Sequence, residues 1–321
     1  MKVILFGWVL SLVICFFGGL LVIPILKKIK AGQTVLKYVN EHKSKNGTPT
    51  MGGLFFIIPS CIVYFILNGF KDRLATVCVT VTLAVLCVGC LDDFIKIKYR
   101  KNEGLKASQK IFFQFFISLF VAIFCFVNDI TSVNIPFTKN QINIGVFASV
   151  LIFFVFIATT NSVNLTDGLD GLASSVSFVY LLLISIIIVL QNHSVSEYKS
   201  ILVLSACIIG GICAFLCFNT NKASVFMGDT GSLALGGFIA SVSVFTANAL
   251  ILPILGITFL FTSLSVIMQV IYFKATKGKR IFLMSPFHHH LQMKGLSESK
   301  IGYIYSIVTG IMGVLLIISY L

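Results

Sequence analysis

The sequence predicts an all-α polytopic membrane protein, a single integral domain over residues 1–321 with about ten transmembrane helices. Three observations carry that prediction. The chain is 57% hydrophobic and 11% charged, with a mean hydropathy of +1.01, more apolar surface than a water-soluble protein of this length can hide. Its apolar residues gather into stretches close to the roughly 17–25 residues that a helix needs to cross a bilayer. Its basic residues collect in every second connection between those stretches. Nothing is left over for a large soluble domain, and no nucleic-acid partner is expected.

In order, the stretches cover residues 3–26, 52–69, 75–91, 111–128, 146–162, 172–191, 200–217, 231–247, 249–272 and 303–320. The first opens as MKVILFGWVL, with one lysine and no small-x-small cleavage site, and reads as a retained helix. Ile14 is too large to precede a lipoprotein-type cleavage at Cys15. The second begins within Met-Gly-Gly, and the third stops at Asp92-Asp93. The fourth follows Lys110, the fifth ends just past Asn161, and the sixth follows two Asp-Gly pairs. The seventh closes before Phe218-Asn219, and the eighth opens behind Asp229-Thr-Gly-Ser. Only a tight turn near Asn248 separates it from the ninth. The tenth follows a loop with three consecutive histidines. All nine cysteines lie inside the stretches, where the thiol is a small apolar group. Cys87-x-x-Cys90 has no second pair to complete a metal site.

Ten crossings place both termini on one side and five connections on the other. Loops 27–51, 92–110, 163–171, 218–230 and 273–302 carry six, six, none, one and six Lys or Arg, which is 19 of the chain's 24. Positive charge accumulates on the cytoplasmic side, so these five loops are expected in the cytoplasm and both termini outside. Asp92, Asp93, Asp167, Asp170 and Asp229 fall on that same side. A basic surface suits anionic lipid headgroups and phosphorylated substrates alike, so the loop sequences must choose.

In GCLDDFIKIKYR (89–100) an apolar run stops at two acids, and three basic residues follow, with Lys101 just beyond as a fourth. Asp92 and Lys96 lie one turn apart on one helical face; the bland reading is a solvated helix end. NSVNLTDGLDGLA (161–173) is expected to place Asp167 and Asp170 on neighbouring faces of a first helical turn. A helix cap accounts for one acid, not for Asn161, Asn164 and both acids. In FNTNKASVFMGDTGSLALGG (218–237), Asp229 sits at a helix start, where free N–H groups and the positive dipole end receive phosphate. Phe226 before it is either a membrane-surface aromatic or a platform for a flat ring. Met-Gly-Gly in KSKNGTPTMGG (43–53) lets backbone approach closely, while Lys43 and Lys45 meet lipid phosphates or substrate. In SPFHHHLQMKG (285–295), helical neighbours diverge by about 100°, so three adjacent imidazoles cannot all serve one metal; anion contact or hydrogen bonding to a substrate is expected. Carboxylates with water and substrate phosphates are how Mg²⁺ is held. The set points to phosphoryl chemistry at the cytoplasmic surface.

GTPTMGG (47–53), LDDFIK (91–96), NLTDGLDGLA (164–173), FMGDTGSL (226–233) and PFHHHL (286–291) together resemble the phospho-N-acetylmuramoyl-pentapeptide transferases, the translocase I family of bacterial peptidoglycan synthesis. The resemblance covers essentially the whole chain. It implies a ten-helix enzyme of the bacterial cytoplasmic membrane, with its site facing the cytoplasm. The enzyme would move phospho-N-acetylmuramoyl-pentapeptide from UDP-MurNAc-pentapeptide to undecaprenyl phosphate, giving lipid I and UMP, with Mg²⁺ required; a homodimer is also implied. Asp92 then resembles a general base on the lipid phosphate, with Asp93 supporting the site, and Asp229 the magnesium ligand. Lys45, Thr50, Lys96, Asn164, Asp167, Asp170, Asn219, Phe226, Gln269, His288, His289 and His290 resemble the nucleotide-sugar pocket, with Phe226 and Asp167 near uracil. The chain departs from the pattern in lacking prolines after Asn219 and in having Gln292 where an acid is usual.

Two other readings compete. A related transferase acting on UDP-GlcNAc would share the acidic motifs but usually has a different histidine loop. A transporter would place ionisable residues near the midplane of broken helices, whereas here the acids lie at the rim.

Overall fold

The structure, a computed structural model, describes residues 1–29, 47–99, 104–191, 195–220 and 222–321. In chain order its elements are α1 (Lys2–Lys28), α2 (Gly53–Asn68), α3 (Arg73–Tyr99), α4 (Ala107–Val127), β1 (Ser132–Asn134), β2 (Gln141–Asn143), α5 (Phe147–Thr166), α6 (Leu172–Leu190), α7 (Val195–Asn219), α8 (Gly228–Phe245), α9 (Leu252–Leu255), α10 (Ile257–Ala275), α11 (Phe287–Met293) and α12 (Glu298–Tyr320). Each predicted apolar stretch is helical, and the chain is an all-α polytopic membrane protein. Among the described residues, eight helices are long and apolar enough to cross a membrane; α2 is a shorter apolar helix, and α8 is not among the eight.

The reason α8 falls short is its position. Every residue from Thr230 to Phe245 is buried, so α8 runs down the centre of the bundle and never has to dissolve in lipid. Small residues on it let its neighbours approach, as packing within membranes favours. Gly231 lies against Gly53 of α2, and Gly236 against the Thr160 backbone of α5. Gly89 of α3 lies against the backbone of Asp229 and Thr230. By contrast α4 keeps Phe112, Phe116 and Phe120 exposed on its outer face, a surface suited to acyl chains.

The Gly89 contact is what brings the acids of α3 to the start of α8. A Cβ there would lie 2.7 Å from the Thr230 Cα, and backbone cannot swing aside as a side chain can. Overpacking of this kind costs about 1–3 kcal/mol. Gly89→Ala is therefore expected to lower the thermal midpoint in detergent and to depress turnover more than Gly302→Ala, where a Cβ meets nothing within 4 Å. Equal behaviour of the two variants would separate the helix contact from the site.

Four expectations are corrected. α3 continues two turns past residue 91 to Tyr99, so Asp92 and Asp93 lie within a helix, not at its lip. Their pairing with Lys96 on the same helix sustains those extra turns. α5 ends at Thr166 with Asp167 as its C-cap, and α6 starts after Gly171, whose φ of 73° turns the chain. Asp167 and Asp170 therefore occupy the connection and not a first helical turn. The single stretch 249–272 divides into α9 and α10 at Gly256. Finally, β1 and β2 form a small antiparallel hairpin between α4 and α5, too short to leave an alternating pattern. It closes on the turn after α8: Asn134 N donates to Ala247 O at 2.7 Å, and the buried Asn248 carboxamide accepts from Asn134 and Gln191. That turn lies at the end of α8 remote from Asp229.

Candidate active site

Several helices contribute to one polar cluster at the end of the bundle where α3 and α5 finish and α4 and α8 begin. Asp92 and Asp93, adjacent on α3, point to different partners, as helical neighbours must. Asp92 Oδ1 accepts from Leu105 N at 2.7 Å and lies 3.1 Å from Lys110 Nζ. Its Oδ2 is 2.6 Å from Lys96 Nζ. Asp93 Oδ2 accepts from both the backbone and the hydroxyl of Thr230, at 2.9 and 2.7 Å, while Oδ1 is 3.6 Å from Lys96 Nζ. Asp229 Oδ2 meets Lys96 at 3.2 Å and also takes a bond from Lys110. Its Oδ1 accepts from Asn164 Nδ2 at 3.0 Å, and that amide also reaches Ser232 Oγ at 2.8 Å.

Three carboxylates and two ammonium groups thus share one place: Asp92 and Asp93 are buried, while Lys96, Lys110 and Asp229 border a cavity. Each carboxylate of the cluster offers an oxygen, and these oxygens all lie within 4.8 Å of one another. Hard oxygen donors this close suit a small divalent cation such as Mg²⁺. The residues present therefore fit a metal, with Asp229 as one of three candidate ligands. The i,i+4 pair of Asp92 and Lys96 exists, but it is one edge of a buried network and not a solvated helix end.

The 47–53 segment braces this cluster from α2. Phe226 N donates to Pro49 O at 2.8 Å, Gly52 N to Phe226 O at 2.9 Å, and Gly53 N to Met227 O at 3.2 Å. Thr50 is buried, and both its hydroxyl and Asp93 Oδ2 occupy the space that a Cβ on Gly228 would need, at a φ of 71°. No side chain fits at that position. Phe226 is half-buried beside the same strand of backbone. Lys45 lies outside the described residues.

Asp167 connects the cluster to the histidines. Burial pushes its carboxyl well above the usual carboxylate range, and the charges of Asp229, Asp93 and Asp170 push the same way. Gly168 next to it packs on the imidazoles of His288 and His289, which lie on α11 with ring centroids 4.4 Å apart. His289 Nδ1 is 3.1 Å from Gln292 Oε1. His288 is fully buried, and neither of its ring nitrogens has a hydrogen-bond partner, an arrangement that calls for a functional explanation. Burial, with His289 beside it, holds its pKa well below the usual value, so the ring is neutral.

That shift has a consequence for stability. The unfolded chain takes up a proton at this histidine near pH 6.5, whereas the folded protein refuses it until much lower pH. The folded state is therefore penalised progressively as pH falls below about 6.5 and is unaffected above it. His288→Asn is expected to flatten the acid limb of a thermal-midpoint profile relative to the parent protein. An unchanged slope would mean that His288 is not buried neutral.

Other expected site residues are committed to the protein itself. The Asn219 carboxamide accepts from Gly171 N and Ser174 Oγ and donates to Val225 O, tying the chain ahead of α8 to the start of α6. Asp170 accepts from Ala223 N, and its own N–H donates to Glu298 of α12. Gln269 Oε1 accepts from Ile281 N and Phe282 N, and His290 Nδ1 accepts from Leu283 N. The structure thus joins Asp92, Asp93, Lys96, Asn164 and Asp229 directly, sets Thr50 and Asp167 beside them, and uses Asp170, Asn219, Gln269 and His290 to shape the surrounding loops. Sequence reasoning missed Lys110, Thr230, Ser232 and Gly168. Lys110 did leave a signal: it is the last cation before the apolar run that begins at Ile111, and a charge at the edge of such a run calls for a partner.

A helical membrane protein with carboxylates and lysines gathered at one end of its bundle has the equipment of a phosphoryl-group transferase, and comparison with known proteins gives the class. The model of glycosyl transferase family 4 matches residues 75–247, which contain all three acids of the cluster. Signature 1 of the phospho-N-acetylmuramoyl-pentapeptide-transferases matches residues 45–57, the segment that braces Asp93. Proteins of that name are similar over nearly the whole chain. One from Clostridium perfringens strain 13 is 42% identical over 302 residues, 94% of this chain and 93% of that protein. One from Clostridium novyi is 39% identical, covering 97% and 95%, and one from Clostridioides difficile is 40% identical, also covering 97% and 95%. The chain belongs to the phospho-N-acetylmuramoyl-pentapeptide-transferase family and is a glycosyl-1-phosphate transferase.

Proposed function

We propose that the protein transfers phospho-N-acetylmuramoyl-pentapeptide from UDP-MurNAc-pentapeptide to undecaprenyl phosphate at the cytoplasmic face of the bacterial cytoplasmic membrane, yielding lipid I and UMP. The observation that carries this reading is the cluster of Asp92, Asp93 and Asp229 with Lys96 and Lys110 at one end of a membrane helix bundle. Because UMP leaves, the bond broken is the anhydride between the two donor phosphates. The bond formed joins an oxygen of the acceptor phosphate to the phosphorus that carries the sugar. The encounter is between anions, so positioning and charge compensation supply much of the rate. A cavity of about 460 Å³ lined by Lys96, Lys106, Lys110 and Asp229 has the size and charge for phosphate groups. Asp92, Asp93 and Asp229 would hold Mg²⁺, which when bound supplies positive charge to the phosphate oxygens. Asp167, protonated more readily than an ordinary carboxyl, suits hydrogen bonding to the edge of uracil.

The resemblance casts Asp92 as a base, yet both of its oxygens face lysines. A phosphate monoester is already mostly dianionic at neutral pH, its second pKa being near 6. The geometry favours Asp92 as the group that positions Lys96 and Lys110. The charge distribution supports cytoplasmic placement of the five basic-side loops, with both termini outside.

The test is direct: purified protein in detergent, UDP-MurNAc-pentapeptide, undecaprenyl phosphate and Mg²⁺, with release of UMP as readout. Release from UDP-GlcNAc in place of the muramoyl donor would overturn the substrate assignment in favour of the related hexosamine transferases.

A further inference from the structure

Gln114 interrupts the apolar run IFFQFFI (111–117) of α4 and meets Asn161 of α5 inside the bundle. Asn161 Nδ2 donates to Gln114 Oε1 at 2.6 Å and to Ile157 O of its own helix at 2.8 Å. Gln114 is 1% exposed, and its Nε2 has no hydrogen-bond partner. A buried donor left unpaired costs stability, so the glutamine calls for a reason other than stability. Its position supplies one. Lys110 lies four residues before Gln114, and Asn164 three residues after Asn161, so each pair shares a helical face. Those two residues hold the two oxygens of Asp229: Lys110 Nζ donates to Oδ2, and Asn164 Nδ2 to Oδ1 at 3.0 Å. At a rise of about 1.5 Å per residue, the Gln114–Asn161 bond sits about 6 Å along α4 and about 4.5 Å along α5 from the residues that meet Asp229. The two helices are thus bonded to each other one turn from where both are bonded to the same carboxylate. Phe115 and Phe153 also join α4 to α5, edge to face with centroids 5.2 Å apart, but apolar contact is far less directional than a hydrogen bond. A polar residue among apolar contacts is a device that fixes the register of packed helices.

We propose that the Gln114–Asn161 bond is a clasp that sets the register of α4 against α5 and so delivers Lys110 and Asn164 to the two oxygens of Asp229. Gln114 and Asn161 are positioning residues, acting through Lys110 and Asn164. The proposal rests on the proposed function in that Lys110 and Asp229 serve the transfer. A lysine ammonium rides on a flexible four-carbon stem, so its place depends on where its helix is held. A slip of α4 by one residue moves the base of that stem by about 1.5 Å, enough to disturb its contacts with Asp92 and Asp229 together.

The test starts from Gln114→Leu, which nearly keeps the volume and removes an amide that the bundle leaves half-paired, so the thermal midpoint in detergent is expected to hold or rise. UMP release from the muramoyl donor slows, with kcat down about ten- to a hundredfold, the scale of a misplacement of about 1 Å. In a Lys110→Met background the same substitution adds little, because both act on one carboxylate. Gln114→Asn combined with Asn161→Gln exchanges the two arms and keeps their summed length, so turnover recovers above that of Gln114→Asn alone. Acetic anhydride, its product at Lys110 read by mass spectrometry against the exposed Lys106, modifies Lys110 faster in Gln114→Leu than in the parent protein, because a loosened lysine leaves the shelter of its carboxylates. Parental kcat in Gln114→Leu overturns the proposal. So does a loss of kcat that the midpoint matches, full additivity with Lys110→Met, or an exchanged pair no faster than Gln114→Asn. Absence of UMP from the parent protein would remove the transfer reading by itself. The acylation of Lys110 would still decide the clasp, and equal rates in the two proteins would overturn it.

Discussion

Asp229→Asn is expected to lower kcat by about 10²–10³-fold, the loss typical when one preorganised electrostatic group is removed from a site, without unfolding the protein. The substitution keeps size and shape. The new carboxamide retains an oxygen to face Asn164, now bonded to Asp229 Oδ1 at 3.0 Å. What it loses is the charge that lies between Lys96 and Lys110 and a ligand oxygen suited to Mg²⁺, which an amide replaces poorly. Asp229→Glu keeps the charge on a longer arm, so it should recover part of its activity at raised Mg²⁺ while Asp229→Asn stays inactive. Thermal midpoints of both in detergent should remain near the parent's. Parent-like turnover in Asp229→Asn would remove Asp229 from the chemistry and leave it a residue of the helix start.

Asp92→Asn should also be severe, and its pH profile discriminates between two roles. A general base contributes about 10²–10⁴-fold. If Asp92 took a proton from the acceptor, the phosphate's own ionisation would replace it, and the deficit would narrow between about pH 6 and 9. If Asp92 instead positions Lys96 and Lys110, which approach it at 2.6 and 3.1 Å, the deficit is flat across that range. The positioning role also predicts that Asp92→Asn and Lys110→Met are not additive, because residues in one ion-pair network share their effect. We expect the flat profile and the shared effect. A deficit that closes with rising pH would restore the base assignment, and full additivity would dissolve the network.

The class and the helices were legible from residue order because lipid imposes a local rule. Backbone polar groups in a bilayer must be satisfied within the segment, so a run of apolar residues is a helix whatever lies elsewhere in the chain. The stretches at 3–26 and 303–320 needed nothing more. The motifs were legible for a related reason: aspartates, glycines and histidines are conspicuous against an apolar background. Which of them meet was not. Asp93 finds Thr230 across 137 residues and Lys110 finds Asp229 across 119, and no local pattern encodes such a pairing. Tertiary structure made α8 the buried centre through contacts at Gly89, Gly53 and Gly236. It drew Lys110 into the cluster and turned Asn219, Asp170, Gln269 and His290 into clamps on the surrounding loops. The sequence alone determined that this protein is a helical membrane protein with acids at one face, because solvent choice and residue chemistry are local properties. The fold decided which charges share a site, because electrostatic pairing depends on distance in space and not along the chain.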